Sequence, residues 1–290
     1  MYLFLKILSA LPLFTLRFLA RCIANLIILM PHTGMRWIVH INLSLAYPKL
    51  SAQQRESLEK ASIYSQCFTA VESIKSWGMP TDYSLAQIRT VSGSELLLTA
   101  LQQAHGLILV VPHFGTWELM NAWINQYASP VIMYKPSKNA SVDRFMLEAR
   151  QRLNATLVPT NDSGVRAIFK ALKKGGVTAI LPDHVPDHSG GIYAPFFGQQ
   201  VLTTTLVSRL AQKTQCSVLG LSCIRRSDLS GFDLICEKLN SQILSQDLQQ
   251  SVNALNADIE RMIARAPEQY MWGYKRFKQT QAQSEIYKKP

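Results

Sequence analysis

Short apolar runs alternate with helical segments between residues 107 and 183, and this alternation constrains the fold more than any other feature. The runs are rich in β-branched residues and closed by Pro or Gly, which is typical of buried strands. They are LILVVPHFG (107–115), PVIMYKP (130–136), ATLVPT (155–160) and VTAILPD (177–183). Buried strands that alternate with helices form a parallel sheet. The pattern therefore predicts an α/β fold, with a mainly parallel central sheet flanked by helices and functional residues just past the carboxyl ends of strands.

Periodicity predicts further elements on both sides of this region. Apolar spacing favours helices over residues 51–79 and Ser92–Gln103, and over the segments after the fourth strand. Those later segments are a helix at 203–216, paired edge strands at 217–226 and 232–239, and a closing helix at Val252–Arg265. We interpret residues 32–290 as a single domain.

Residues 1–30 are strongly apolar but carry Lys6, Arg17 and Arg21, so no uninterrupted run reaches the ~20 residues of a clean spanning helix. Apolar character resumes after Arg21, unlike a cleaved signal peptide. We predict a retained membrane-anchoring helix over residues 1–31. It either spans the bilayer with its Arg side chains snorkelling, or lies in the interface with its cations toward the lipid headgroups. The alternative, a buried core helix, requires buried partners for both arginines. Basic residues that follow place the body in the cytoplasm.

Composition narrows the function classes. The chain has a formal net charge of +11, yet 48% of its residues are hydrophobic and only 17% are charged, which excludes a disordered chain. A basic, apolar chain without a nucleic-acid-binding module favours an anionic membrane surface over nucleic acid. Five widely spaced cysteines lack metal-binding spacing and indicate reduced thiols, mostly in the core.

His113 lies where the first buried strand ends, and Glu118 follows at the start of the next helix. A turn between them lets the carboxylate reach back to one imidazole nitrogen, which leaves the other nitrogen to accept a proton from a hydroxyl. This pair predicts acyl-transfer chemistry, although His113 as a simple helix cap stays open. No GxSxG serine elbow competes for the role.

Cations cluster at the same predicted strand ends and suit phosphate groups. Arg150 and Arg152 end the helix after the second strand, while Lys135 and Arg166 flank strand ends. Solvated helix faces are the alternative explanation. Phe114, Trp117, Phe196 and Phe197 are candidates for the lining of an apolar tunnel, or else ordinary core residues.

HFGTWE (113–118) matches the HX4E motif of the lipid A biosynthesis acyltransferases, the late lauroyl- or myristoyl-type enzymes of Gram-negative bacteria, and the chain resembles that family over nearly its whole length. The resemblance includes INLSLAYPKLS near residue 41, VVPHFGTWE, YKP at Tyr134, SGVRAIFKALKKGG, ILPDH at residue 180, APFFG at Ala194 and APEQYMWGYKRFK near the C-terminus. This ordered set is far more specific than HX4E alone.

The resemblance implies transfer of a fatty acyl chain from acyl carrier protein to the hydroxyl of a 3-hydroxyacyl chain on a lipid A precursor, at the cytoplasmic side of the inner membrane. It implies His113 as general base, Glu118 as its orienting partner, and Arg150 and Asp183 as the remaining site residues. It implies no metal and no cofactor, with acyl carrier protein as the co-substrate that delivers the acyl chain. That protein is acidic in this family, so the positive charge suits both donor docking and membrane lipids.

Two positions depart from the family pattern. His184 stands where many relatives have Gln, and Tyr274 stands where some have His. DHVPDH (183–188) also suggests a metal site, but Pro186 breaks the helix that would align its histidines. Two alternatives stay open: the same chemistry on another glycolipid or a lysophospholipid, and an inactive lipid-binding homologue.

Overall fold

The protein is described by a computed structural model over residues 1–30, 34–103, 105–281 and 286–288. Seven strands form the central sheet in the order β1-β9-β8-β2-β5-β3-β4, and β6 and β7 form a separate antiparallel hairpin. The strands are β1 (Ile88–Ser92), β2 (Leu107–Val110), β3 (Val131–Tyr134), β4 (Thr156–Pro159), β5 (Val177–Ile180), β6 (Gly191–Phe196), β7 (Gln199–Thr204), β8 (Ser217–Arg225) and β9 (Phe232–Lys238). The four strands predicted between residues 107 and 183 pair in parallel, which confirms the mainly parallel α/β sheet.

Helices cover the sheet and precede it in the chain. They are α1 (Tyr2–Ala10), α2 (Leu13–Leu29), α3 (Gly34–Ala46), α4 (Ala52–Gly78), α5 (Thr81–Gln87), α6 (Ser94–Gln102), α7 (Trp117–Ile124), α8 (Ala140–Arg152), α9 (Asp162–Lys173), α10 (Leu206–Thr214) and α11 (Leu248–Ile263). Ser51 begins α4 with a reciprocal capping box to Gln54. Asn139 caps α8 and Asn161 caps α9, and the side chain of each accepts backbone N–H groups of its helix.

The prediction of paired edge strands at 217–226 and 232–239 is right about the pairing and wrong about the edge. β8 and β9 pair antiparallel, but β8 also pairs with β2, and β1 pairs with β9 on its other side. On this side of the sheet the edge strand is therefore β1. Hydrophobic periodicity does not reveal this five-residue strand, because four of its residues are exposed.

Both faces of β2 are buried, which explains its continuous apolar sequence. Ile108 and Val110 belong to one hydrophobic cluster, and Leu107 and Leu109 belong to a second. Alternate side chains of a strand point to opposite faces, so the two clusters lie on the two sides of the sheet. β2 thus fixes the centre of the molecule and the position at which the following loop leaves the sheet.

The apolar N-terminus forms two helices rather than the single predicted one. Within the described residues no single helix has both the length and the hydropathy to cross a membrane; α1 and α2 pass that test only together, and they are bent by 117° at their junction. α2 packs its buried residues, which include Leu16 and Ala20, against the body of the protein. The predicted boundary between residues 31 and 32 lies outside the described residues.

Arg17 differs from the expectation that its cation points to lipid headgroups. Its side chain is buried, and its Nε donates to Glu72 Oε1 on α4 at 2.9 Å. Arg225 binds the same carboxylate from the end of β8. Arg17 therefore has the buried partner that a core helix requires, whereas Arg21 is exposed.

Candidate active site

Strand register brings His113 and Asp183 together at one edge of the sheet. β2 and β5 are parallel neighbours, and Val110 lies opposite Ile180. His113 and Asp183 each follow these residues by three positions, so both emerge at the carboxyl edge. Asp183 Oδ1 lies 2.8 Å from His113 Nδ1, and Asp183 Oδ2 accepts the His113 backbone N–H at 2.9 Å. One carboxylate therefore holds both the ring and the backbone of the histidine.

Backbone contacts with Met271 and Cys223 fix the turn that carries His113. The carbonyl of His113 accepts a hydrogen bond from the N–H of Met271, and Thr116 N–H donates to the carbonyl of Cys223. Gly115 has φ +67°, and a Cβ there would lie 2.1 Å from the Cys223 carbonyl oxygen. Only glycine allows the backbone to come this close to Cys223, which explains the glycine at position 115.

The surroundings of Asp183 keep it ionised. Burial alone would raise the pKa of this carboxyl, but the neighbouring His113 and its two hydrogen bonds hold the pKa well below its usual range. Burial and the adjacent Asp183 carboxylate raise the pKa of the Tyr270 phenol. An ionised carboxylate at Nδ1 favours the tautomer that carries its proton there. Nε2 makes no hydrogen bond within the described residues and is the nitrogen free to accept a proton.

Glu118 does not occupy the predicted place beside the imidazole. Its Oε1 accepts a hydrogen bond from the guanidinium of Arg150 at 3.1 Å, and its Oε2 accepts from Trp77 Nε1 at 2.9 Å. The first turn of α7 directs the Glu118 carboxylate toward α4 and α8. The loop after β5 instead places Asp183 beside His113. The expected orienting contact is thus made by Asp183, and Glu118 instead holds Arg150.

Arg150 lies in the same cleft, with its guanidinium 5.2 Å from the centroid of the Tyr134 ring. Its Nε is buried without a hydrogen-bond partner in the described part of the chain. A cation that lines the cleft, held in place by a carboxylate and an aromatic ring, is suited to an anionic or polarised oxygen of a ligand.

A cleft of about 1180 Å³ opens at this edge of the sheet. His113, Glu118, Arg150, Lys135 and Arg166 all line it, as predicted for strand-end residues. Arg209, which α10 contributes, is a further cation that lines the cleft and is not predicted from the sequence. No local pattern distinguishes Arg209, because only the packing of α10 beside α9 brings it to the cleft.

The structure does not bring Arg152 to the cleft. Its guanidinium donates to the carbonyls of Trp77 and Met79 at the end of α4. Two residues along a helix correspond to a rotation of about 200°, so Arg150 and Arg152 point to different sides of α8. Arg152 therefore caps a helix terminus rather than facing a ligand.

Among the proposed tunnel aromatics, Trp117 lines the cleft and makes a T-shaped contact with His113, with ring centroids 5.1 Å apart. Phe114 and Phe196 are fully buried in the core. Phe197 packs on Tyr47 and does not line the cleft. The core interpretation is therefore correct for Phe114 and Phe196.

Metal-ligand geometry is not found around DHVPDH. In the described ranges no group of three or more His, Cys, Asp or Glu side chains is arranged to hold a metal ion. All five cysteines are free, and all but Cys22 are buried, as expected for reduced core residues.

The family model and the individual relatives that match this chain all point to the same family. Residues 1–279 match the model of the bacterial lipid A biosynthesis acyltransferases. The chain is 30% identical over 242 residues to the lipid A biosynthesis lauroyltransferase of Escherichia coli K12, covering 83% of this chain and 78% of the relative. The palmitoleoyltransferase of the same organism gives the same identity and coverage. The E. coli lipid A biosynthesis myristoyltransferase is 23% identical over 235 residues, which is 80% of this chain and 72% of the relative.

Proposed function

Since this chain belongs to the bacterial lipid A biosynthesis acyltransferase family, we propose that it transfers a fatty acyl chain from acyl carrier protein to a lipid A precursor. The acceptor group is the hydroxyl of a 3-hydroxyacyl chain on that precursor. The observation that carries the proposal is the hydrogen bond between the buried Asp183 and Nδ1 of His113, whose side chain lines a cleft that several cations also line.

In the proposed reaction, Nε2 of His113 accepts the proton of the acceptor hydroxyl as its oxygen attacks the thioester carbonyl of the donor. A C–O bond forms, and the carbonyl oxygen becomes an oxyanion. The C–S bond then breaks, and the thiolate of acyl carrier protein takes the proton from His113. Asp183 stabilises the imidazolium between these steps. The donor thioester is already activated, so the proposed reaction needs neither a metal nor a further cofactor.

Arg150 is assigned to the oxyanion or to a phosphate of the acceptor, because it is a cation that lines the same cleft as His113. Glu118 contributes by holding the guanidinium in place. Lys135, Arg166 and Arg209 line the same cleft and supply positive charge for the phosphates of the acceptor.

The N-terminal helices are assigned to the surface of the inner membrane, with the cleft on the cytoplasmic side. One face of α2 packs on the body, while its outer face exposes large apolar residues, among them Phe14 (76% exposed) and Phe18 (65% exposed). On α1, Leu3 and Phe4 are also exposed. Exposed apolar residues on two bent helices fit insertion parallel to the bilayer plane.

The test is transfer of labelled acyl chains by the purified, detergent-solubilised protein. Acyl carrier protein loaded with a series of chain lengths is the donor, and a tetraacylated lipid A precursor and lysophospholipids are the acceptors. We expect acylation of the lipid A precursor, loss of transfer in His113→Ala and unchanged transfer in His105→Ala, which alters an exposed histidine outside the cleft. Transfer only to lysophospholipid would contradict the proposed acceptor, and lipid binding without any transfer would indicate an inactive homologue.

A further inference from the structure

The two positions that depart from the family pattern meet at the proposed base. The imidazole of His184 stacks on the imidazole of His113, with centroids 3.9 Å apart and ring planes within 5°. The ring of Tyr274 stacks on His184 with a centroid distance of 4.0 Å and an interplanar angle of 23°. The three rings form a continuous stack that begins at His113. Nothing in the spacing of residues 113, 184 and 274 along the chain indicates it.

Tyr274 is held firmly at the outer end of this stack. Its hydroxyl oxygen accepts the backbone N–H of Val185 at 3.0 Å, which ties it to the loop that carries His184. Its carbonyl accepts a hydrogen bond from Asn42 Nδ2 at 2.7 Å, and the neighbouring Gly273 N–H donates to Gln66 at 2.8 Å. Contacts to α3 and α4 thus fix the ring that supports His184.

A cation next to an aromatic face is stabilised when it lies within ~6 Å of the ring centroid. His113 becomes such a cation when it accepts a proton, and the face of His184 lies well inside that distance. The stabilisation requires that His184 itself is neutral. Desolvation by the two stacked rings and the neighbouring His113 lower the pKa of His184 to about 4, although part of its side chain stays exposed, so the neutral form prevails at neutral pH.

We propose that His184 and Tyr274 are positioning residues for His113: their stacked rings fix the plane of its imidazole and stabilise the imidazolium formed during acyl transfer. The inference rests on the proposed function, in which His113 is the base. It assigns a role to two residues that the general family pattern does not supply.

Other charged groups surround the stack and must be considered in any pH dependence. Asp183 binds His113 and also favours the imidazolium, whereas the cations Arg276 and Lys278 disfavour protonation of His184. Glu118 and Arg150 face the cleft from α7 and α8 and neutralise each other by their ion pair. Variants at position 184 leave all of these groups in place, so a change in the pH profile reports on the stack.

The experiment compares His184→Phe, which keeps an aromatic face, with His184→Leu, which keeps apolar bulk without one. The full-length enzyme is assayed for kcat and KM across pH. We expect His184→Leu to lower kcat about tenfold with little change in KM, and to move the acid limb of the kcat/KM profile about half a pH unit or more toward lower pH. We expect His184→Phe to retain both properties. His188→Leu, an exposed histidine four residues further along that does not line the cleft, is the matched control.

Equal loss in the Phe and Leu variants, or no loss in either, would overturn the proposal. Tyr274→Phe against Tyr274→Leu repeats the comparison from the outer end of the stack, in case a substitution at position 184 impairs folding. Titration of His113 by NMR in histidine-labelled protein gives a reading without catalysis. If His184→Leu moves the His113 titration toward lower pH but the wild-type enzyme acylates no acceptor, the proposed function is wrong and the proposed role of the stack is supported. If the titration does not move, the proposed role of the stack is wrong.

Discussion

Replacing Asp183 by Asn tests which carboxylate serves the proposed base. Asp183 Oδ1 and Oδ2 accept hydrogen bonds from the ring and the backbone of His113 at 2.8 and 2.9 Å, and its side chain is buried. Asn keeps one acceptor oxygen and turns the other into a donor. If the oxygen stays on the backbone N–H, the amide donates to Nδ1 and fixes the tautomer whose Nε2 already carries a proton. That tautomer cannot accept the proton of a hydroxyl.

The magnitude follows from the loss of general-base catalysis, which is typically ~10²- to 10⁴-fold. Because the contact to Nδ1 is reversed and the negative charge that stabilises the imidazolium is lost, we expect kcat to fall about 10³-fold, equivalent to about 4 kcal/mol in the activation free energy. KM should change little, because Asp183 faces His113 rather than a ligand. The assay is transfer from acyl carrier protein under saturating acceptor, with folding checked by circular dichroism and Asp228→Asn, an exposed carboxylate, as the control.

Glu118 provides the contrasting arm of this experiment. In the structure it acts on Arg150, so Glu118→Gln and Arg150→Gln should show strong energetic coupling in a double-mutant cycle. Glu118→Gln and Asp183→Asn should be closer to additive. Turnover of Asp183→Asn within about threefold of the wild type, or a strong coupling of Glu118 to His113 but not to Arg150, would refute the assignment of Asp183 as the orienting carboxylate.

Two further predictions concern stability and the membrane. Glu72→Gln should lower the free energy of unfolding by about 3–5 kcal/mol in denaturant titrations, because it leaves the buried Arg17 and Arg225 without their shared carboxylate. Burial raises the pKa of Glu72, but Arg225 and Arg17 lower it by more, so the pKa in the folded state lies below the unfolded value of ~4.3. The stabilisation is therefore present above pH ~4.3 and is lost as the pH falls through the folded pKa. Phe14→Asp with Phe18→Asp should reduce sedimentation with anionic vesicles at least tenfold while thermal unfolding stays near that of the wild type, since both rings are exposed.

Local patterns in the sequence are sufficient for the parallel core of the sheet, β2 to β5, and for the placement of His113, but not for the edge strand β1. The apolar runs that become β2 and β5 are bounded by Pro and Gly, and their buried positions follow from that composition. The partner of His113 is a different matter, because Asp183 is 70 residues away along the chain. Spacing favours Glu118 as the nearest acid, whereas the parallel pairing of β2 with β5 decides in favour of Asp183. Residues assembled by strand order or by helix packing, such as Arg209 and Tyr274, have no local signal for the same reason.

The N-terminal helices and the candidate site are connected through one buried carboxylate. Arg17 on α2 binds Glu72, and Glu72 accepts a hydrogen bond from the hydroxyl of Thr116, three residues after His113. Deletion of residues 1–30 therefore removes a buried ion-pair partner as well as an apolar face. Loss of activity after such a deletion would not separate membrane binding from support of the His113 turn. The Phe14 and Phe18 substitutions make that separation, because they change the outer face of α2 and leave the Arg17–Glu72–Thr116 contacts intact.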